Sequence, residues 1–178
     1  MLTAITALVI IILVVIDQLI KVIAQSLLLS AGEPVNFISG FLQFRYVENT
    51  GAAFGFLSDH TDLLTGVTAV VIIVITILFF VGILTRKVQP GFLYISVVLL
   101  ISGGMGNLID RILRGYVIDY IEPVFIDFAV FNFADCLVTV GAGLLIIWLI
   151  YDIISECRKE RKKKTEHTSQ TGGDGHGR

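Results

Sequence analysis

The sequence predicts an all-α membrane protein: four transmembrane helices with a small extracytoplasmic β-like loop region. Three observations predict it. Of the 178 residues, 55% are hydrophobic and the mean hydropathy is +0.87, outside the range of soluble domains. Apolar runs long enough to cross a bilayer occur at about 2–25, 65–84, 91–109 and 134–151. A partly alternating stretch, Phe41-Leu42-Gln43-Phe44-Arg45-Tyr46-Val47-Glu48, has the pattern of a half-buried strand.

The first span is expected to be a retained membrane helix rather than a cleaved leader. It lacks a basic N-terminal region and a small-residue cleavage signal, and Asp17 and Lys21 continue its helical pattern. Four residues apart, they share one helix face and can pair. They either neutralise each other near the membrane surface or help to organise a site. Pro34 and Gly40 break the helix, and the long 26–61 region follows. Its length argues for a functional loop rather than a plain connector. The second span is free of charge. A short turn with Arg86, Lys87 and Pro90 leads to the third, and Trp148 and Tyr151 sit where an aromatic belt forms near the end of the fourth. Residues 1–154 make one membrane domain. Residues 155–178 make a basic tail, expected to be disordered over 165–178.

Charge fixes the orientation. Arg86, Lys87, Arg158, Lys159, Arg161, Lys162, Lys163, Lys164 and Arg178 fall on the short turn and the tail. Only Lys21, Arg45, Arg111 and Arg114 fall towards the other side. The positive-inside rule makes both termini cytoplasmic and turns the two longer loops outward. A net charge of -2 points to no nucleic acid. Cys136 and Cys157 bracket the last apolar run, too far apart for a disulfide and without a neighbouring His for zinc. No cofactor or metal is expected. His167 and His176 lie in the tail, so only His60, in a turn-rich loop, could serve a nucleophilic triad.

The chemistry concentrates between spans three and four. Ionisable residues at membrane depth are expensive and are functional candidates by default. Asp119, embedded after Val117-Ile118, and Asp135, opening the last helix behind a candidate cap Asn132, bracket the loop. Two carboxylates within hydrogen-bonding range do not both ionise easily and hold one shared proton. One can take a proton from water while the other protonates a carbonyl. Spacing alone makes this a weak signal. Asp110 and Arg111 compete for the role; an adjacent guanidinium suits an ionised brace better than a proton-sharing pair. Glu122 and Asp127 read as solvated. Gly103, Gly104 and Gly106 fit close helix packing.

Five blocks occur in order: Asp17-Gln18-Leu19-Ile20-Lys21, Asn49-Thr50-Gly51-Ala52-Ala53-Phe54-Gly55, Gly106-Asn107-Leu108-Ile109-Asp110-Arg111, Gly115-Tyr116-Val117-Ile118-Asp119 and Phe131-Asn132-Phe133-Ala134-Asp135. Together they resemble the lipoprotein signal peptidase (signal peptidase II) family of bacterial aspartic peptidases. The resemblance covers the chain to about Tyr151. It implies a catalytic dyad of Asp119 and Asp135. It also implies a site shaped by Asn49, Gly51, Asn107, Asp110, Arg111 and Asn132, with Asp17 and Lys21 in support. The implied substrate is a diacylglyceryl-modified prolipoprotein, cut just before its lipidated cysteine. The implied inhibitor is the cyclic peptide globomycin. The enzyme would be a monomer in the bacterial inner membrane among membrane lipids, its site near the outer leaflet. The 41–55 loop is expected to be a mobile clamp. The rival reading is a proton-coupled transporter or channel subunit. It calls for carboxylates spread through the bilayer depth and for inverted repeats, and the sequence shows neither.

Overall fold

The computed structural model describes residues 1–51 and 61–171. Four helices, each long and apolar enough to cross a membrane, form a bundle, so this is a multi-pass membrane protein. They are α1 (Leu2–Ala31), α2 (Thr61–Leu84), α3 (Phe92–Arg114) and α4 (Phe133–Thr171). Strands β1 (Val35–Ile38) and β2 (Leu42–Asn49) follow α1, and β3 (Val117–Pro123) follows α3.

Without water to drive apolar surfaces together, membrane helices associate by close packing, and small residues permit it. The antiparallel pair α3 and α4 shows this. A Cβ on Gly103 would run into the Ala134 carbonyl and Val138, and one on Gly141 would lie 2.9 Å from the Ser96 carbonyl oxygen. Ile10, Val14, Phe79, Ile83, Val98 and Ile101 form the core between α1, α2 and α3. Much of the remaining apolar helix surface faces outward, as a protein dissolved in lipid requires.

The sheet is antiparallel, in the order β1-β2-β3. Gly115 takes a left-handed conformation (φ 80°) and ends α3, turning the chain into β3. Pairing runs from Leu42↔Pro123 to Asn49↔Val117, with an irregularity between Phe44 and Val47. Strand alternation then sends neighbours to opposite sides. Asp119 lines a cavity, while Ile118 and Tyr120 pack with Leu28 in a second core.

Three expectations need correction. The connection after α3 contains a third strand that local pattern did not reveal, and Glu122 within it is not solvated. It accepts from Gln43 Nε2 at 2.6 Å and pairs with Arg45 at 2.8 Å. The helices also outrun their apolar stretches: α1 reaches Ala31 and α3 reaches Arg114, because the charges near their ends find partners within the bundle. Finally, α4 outruns its apolar stretch: it continues unbroken past 154, through the Lys-, Arg- and Glu-rich run 156–164 of good helix formers, to Thr171. The expectations placed on Ala52 to Gly55, on His60 and on 172–178 lie outside the described residues.

Candidate active site

The end of α1, the end of α3, the sheet and the start of α4 meet at one end of the bundle. The chain before α4 is tied to β3 by a bridge between Ile121 and Phe131, with Phe131 N donating to Ile121 O at 3.0 Å. That bridge fixes Asn132 beside Asp119.

Asn132 is the hub. Its Oδ1 accepts from Asp135 N at 2.9 Å, and its own N–H donates to Asp135 Oδ2 at 3.0 Å. This reciprocal pair is a capping box with Asp in the position usually held by Glu. The Asn132 side-chain amide donates to Asp119 Oδ1 at 2.6 Å and to Asn107 Oδ1 at 3.2 Å. Asn107 Nδ2 donates to Asp135 Oδ1 at 2.8 Å, and Asn49 Nδ2 donates to Asp119 Oδ2 at 2.8 Å. All four oxygens of the two aspartates therefore accept a hydrogen bond. Both side chains line one cavity of about 490 Å³. Its polar wall also includes Asn49, Gly51, Asn107 and Arg111; its apolar wall runs through Phe128, Val130, Val138 and Val140.

Asp119 is only 2% exposed. Burial pushes its carboxyl up to about 6, and the charge of Asp135 adds to this; the bonds from Asn49 and Asn132 pull the other way.

Behind the cavity lies a buried charge network. Lys21 Nζ reaches Asp17 Oδ2 at 2.9 Å, Asp110 Oδ2 at 2.8 Å and Asn107 Oδ1 at 2.9 Å. Its three donors thus have three acceptors, and Lys21, Asp17 and Asp110 are fully buried. Ala134 N donates to Asp17 Oδ1 at 3.0 Å, so that carboxylate also satisfies the first turn of α4. Asp17 and Lys21 are therefore not a self-contained surface pair. Lys21 orients Asn107: with its Oδ1 held by the ammonium, the amide nitrogen faces Asp135.

The sequence paired Asp110 with the wrong arginine. Arg111 makes no ion pair with it among the described residues. Asp110 is instead bound by Lys21 and by Arg114, four residues on. The reason is helical spacing, since i,i+4 residues share a face and adjacent ones do not. Arg111 turns to the cavity, where Nη2 donates to Gly51 O at 3.3 Å. Its Nε is buried without a hydrogen-bond partner among the described residues. Gln18 was also missed as a separate contributor. Its Nε2 donates to Asp110 Oδ1 and Gly106 O at 3.1 Å each, and its Oε1 accepts from Arg114 at 3.3 Å. Both residues carried a signal: Gln18 lies inside the first motif block, and Arg114 sits one turn after Asp110.

Comparison with known proteins places this geometry. A sequence profile described as signal peptidase (SPase) II matches residues 9–151. The lipoprotein signal peptidase of Clostridium tetani is 41% identical over 149 residues, covering 82% of this chain and 92% of that protein. The Streptococcus pneumoniae lipoprotein signal peptidase is 36% identical over 154 residues, covering 85% and 96%. Among solved structures, one described as a bacterial membrane enzyme at 1.9 Å resolution superposes with a TM-score of 0.69. It is 32% identical, over 84% of this chain and 94% of that one. The chain belongs to the signal peptidase II family, and it is a membrane peptidase.

Proposed function

We propose that this chain removes the signal peptide from diacylglyceryl-modified prolipoproteins, cleaving just before the lipidated cysteine with a water activated by Asp119 and Asp135. The observation that carries the reading is the shared cavity. Two carboxylates from different elements line it, cross-linked through Asn132 and Asn107. The family relatives named for lipoprotein processing supply the substrate class.

The roles follow from the surroundings. Asp119, the more buried of the two and pushed up to about 6 by that burial, is the better suited to hold the proton the pair shares. Asp135 accepts from Asn132 N and Asn107 at the start of α4, where the helix dipole suits an anion. It takes a proton from water as the water oxygen bonds to the scissile carbonyl carbon. Asp119 gives its proton to the carbonyl oxygen. Collapse of the resulting diol breaks the C–N bond; a proton passes to the leaving nitrogen and Asp119 regains its own. Arg111 lines the cavity wall, where its guanidinium is placed to donate to a substrate carbonyl. The apolar wall through Val138 and Val140 receives apolar parts of the substrate at membrane depth.

The orientation deduced from charge puts this end of the bundle at the outer leaflet of the bacterial inner membrane, with both termini cytoplasmic. The described part of the proposed clamp, β2 with Asn49 and Gly51, borders the cavity, and globomycin is expected to block that cavity. A transporter reading finds less support, because Asp17, Asp110, Asp119 and Asp135 gather at one end of the bundle.

One assay tests the reading. Purified protein is offered diacylglyceryl-modified prolipoprotein, and wild type is compared with Asp119→Asn and Asp135→Asn. Each variant should lose at least about a hundredfold in rate, the scale of a missing general acid or base. Full activity in either removes that residue from the dyad. Equal cleavage of unmodified prolipoprotein overturns the substrate assignment.

A further inference from the structure

The two aspartates accept from the side-chain amides of Asn49, Asn107 and Asn132. An amide can face a carboxyl with either end: its nitrogen donates and its oxygen accepts. The torsion that exchanges the ends is broad and roughly two-fold, so an isolated asparagine has no firm preference. For Asn107 the Lys21 ammonium makes the choice by holding Oδ1, and for Asn132 the Asp135 N–H does so. For Asn49 the choice falls to a glycine.

The Gly51 N–H donates to Asn49 Oδ1 at 3.0 Å, closing an Asx-turn. With the oxygen held, Nδ2 donates to Asp119 Oδ2 at 2.8 Å. Gly51 is buried but lies past the sheet, whose ladder between β2 and β3 ends at the pair Asn49↔Val117. Its carbonyl is held from α3 instead, accepting from Arg111 Nη2 at 3.3 Å. A series of bonds thus runs from α3 to the acid: Arg111 to Gly51, Gly51 to Asn49, Asn49 to Asp119. An Asn49 turned end for end would put its oxygen against Asp119. That oxygen would accept the carboxyl proton and keep it from the cavity.

We infer that Arg111 is a positioning residue: by pinning the Gly51 turn to α3, it locks the Asn49 amide with its N–H, never its oxygen, towards Asp119. The inference rests on the proposed role of Asp119 as the acid of the pair. It gives Arg111 an effect on that carboxyl that passes through Gly51 and Asn49 rather than through charge alone.

Charge has to be separated from positioning, because the guanidinium also interacts with the charges of Asp135, Asp119 and Asp110. Burial pushes the Asp119 carboxyl up to about 6, and Asp135 of α4 adds to the rise. Of the influences pulling it down, the Asn49 bond is the largest, ahead of the Asn132 bond and the Lys21 charge from α1.

The protonated carboxyl band of Asp119 is titrated by infrared spectroscopy on the full-length protein in lipid bilayers, and is assigned by its loss in Asp119→Asn. The wild-type midpoint is expected at about 6. Asn49→Ala removes the donor and should raise it by about one unit, the scale of one hydrogen bond to a charged group. Arg111→Gln should raise it by about as much. In an Asn49→Ala background the Arg111→Gln shift should fall by at least about half, because its path is gone. An equal Arg111→Gln shift in both backgrounds, or none in either, overturns the inference. A second readout uses wild type alone and stands even if a variant fails to fold. The side-chain nitrogen of Asn49, one of four asparagines, is assigned by its proximity to the Gly51 N–H. It should give one exchange-protected resonance that titrates with Asp119; two interconverting orientations overturn the lock. Both readouts are made without substrate, so a contact between Arg111 and substrate does not move them. Full cleavage by Asp119→Asn would remove the proposed chemistry without altering these titrations, whereas equal shifts in both backgrounds would remove the lock and leave the chemistry.

Discussion

Consider Asp119→Asn as a probe of stability rather than of activity. Burial raises the Asp119 carboxyl from 3.8 to about 6. A shift of that size corresponds to about 3 kcal/mol between the two protonation states. Because the folded value is raised, the folded protein binds more protons than the unfolded chain between those two pH values. The contribution of Asp119 to stability is therefore complete below pH 3.8 and is lost as pH rises through about 6. Asparagine is uncharged throughout and lacks this slope. Its amide cannot accept on both sides, so one bond, from Asn49 or Asn132, is lost at a cost of about 1.5–3 kcal/mol. The stability of wild type minus that of Asp119→Asn should accordingly fall by about 3 kcal/mol between pH 4 and pH 7.5. At pH 7.5 the Asp119→Asn variant should be about as stable as wild type, or more so. Equilibrium unfolding in mixed detergent micelles at four or five pH values measures the difference. A difference that stays constant over this range would refute the assignment of a buried, proton-holding carboxyl at 119.

Other perturbations test the supporting structure. Lys21→Met leaves Asp17 and Asp110 buried with one fewer counter-charge and should cost about 3–5 kcal/mol, read by the same unfolding assay. Adding Asp17→Asn should recover part of that loss. Gly106→Ala puts a Cβ 2.5 Å from Asp17 Oδ2 and should destabilise by about 1–3 kcal/mol, with a fall in cleavage rate as the α1 carboxylate is displaced. Arg114→Gln removes one partner of Asp110 at a partly exposed position while Lys21 remains, so its stability loss should be clearly smaller than that of Lys21→Met.

What the sequence made legible was what local pattern encodes. Hydropathy located four spans, and i,i+4 spacing located the Asp17–Lys21 pair. Carboxylates stranded in apolar sequence marked Asp110, Asp119 and Asp135. The arrangement of those groups depended on contacts between distant segments. Lys21 meets Asp110 across 89 positions, and this long-range contact left no local trace. The β3 strand was hidden for a related reason. Its Val117-Ile118-Asp119-Tyr120 stretch is buried on both faces, so the expected alternation of apolar and polar residues is absent. Reading Arg111 as the partner of Asp110 followed the order of residues rather than the geometry of the helix. The extension of α4 was missed because hydropathy reports where the bilayer ends, not where the helix does.

The reciprocal bonds between Asn132 and Asp135 have a consequence for anyone altering this enzyme. On the proposed mechanism, the carboxylate that handles the water also starts the fourth helix. An alanine at 135 would unfasten the helix entrance along with the chemistry, and a dead enzyme would then say little about mechanism. Asparagine keeps an oxygen that can still hold the entrance shut. If the proposed role holds, a substitution at this position acts on assembly and turnover together.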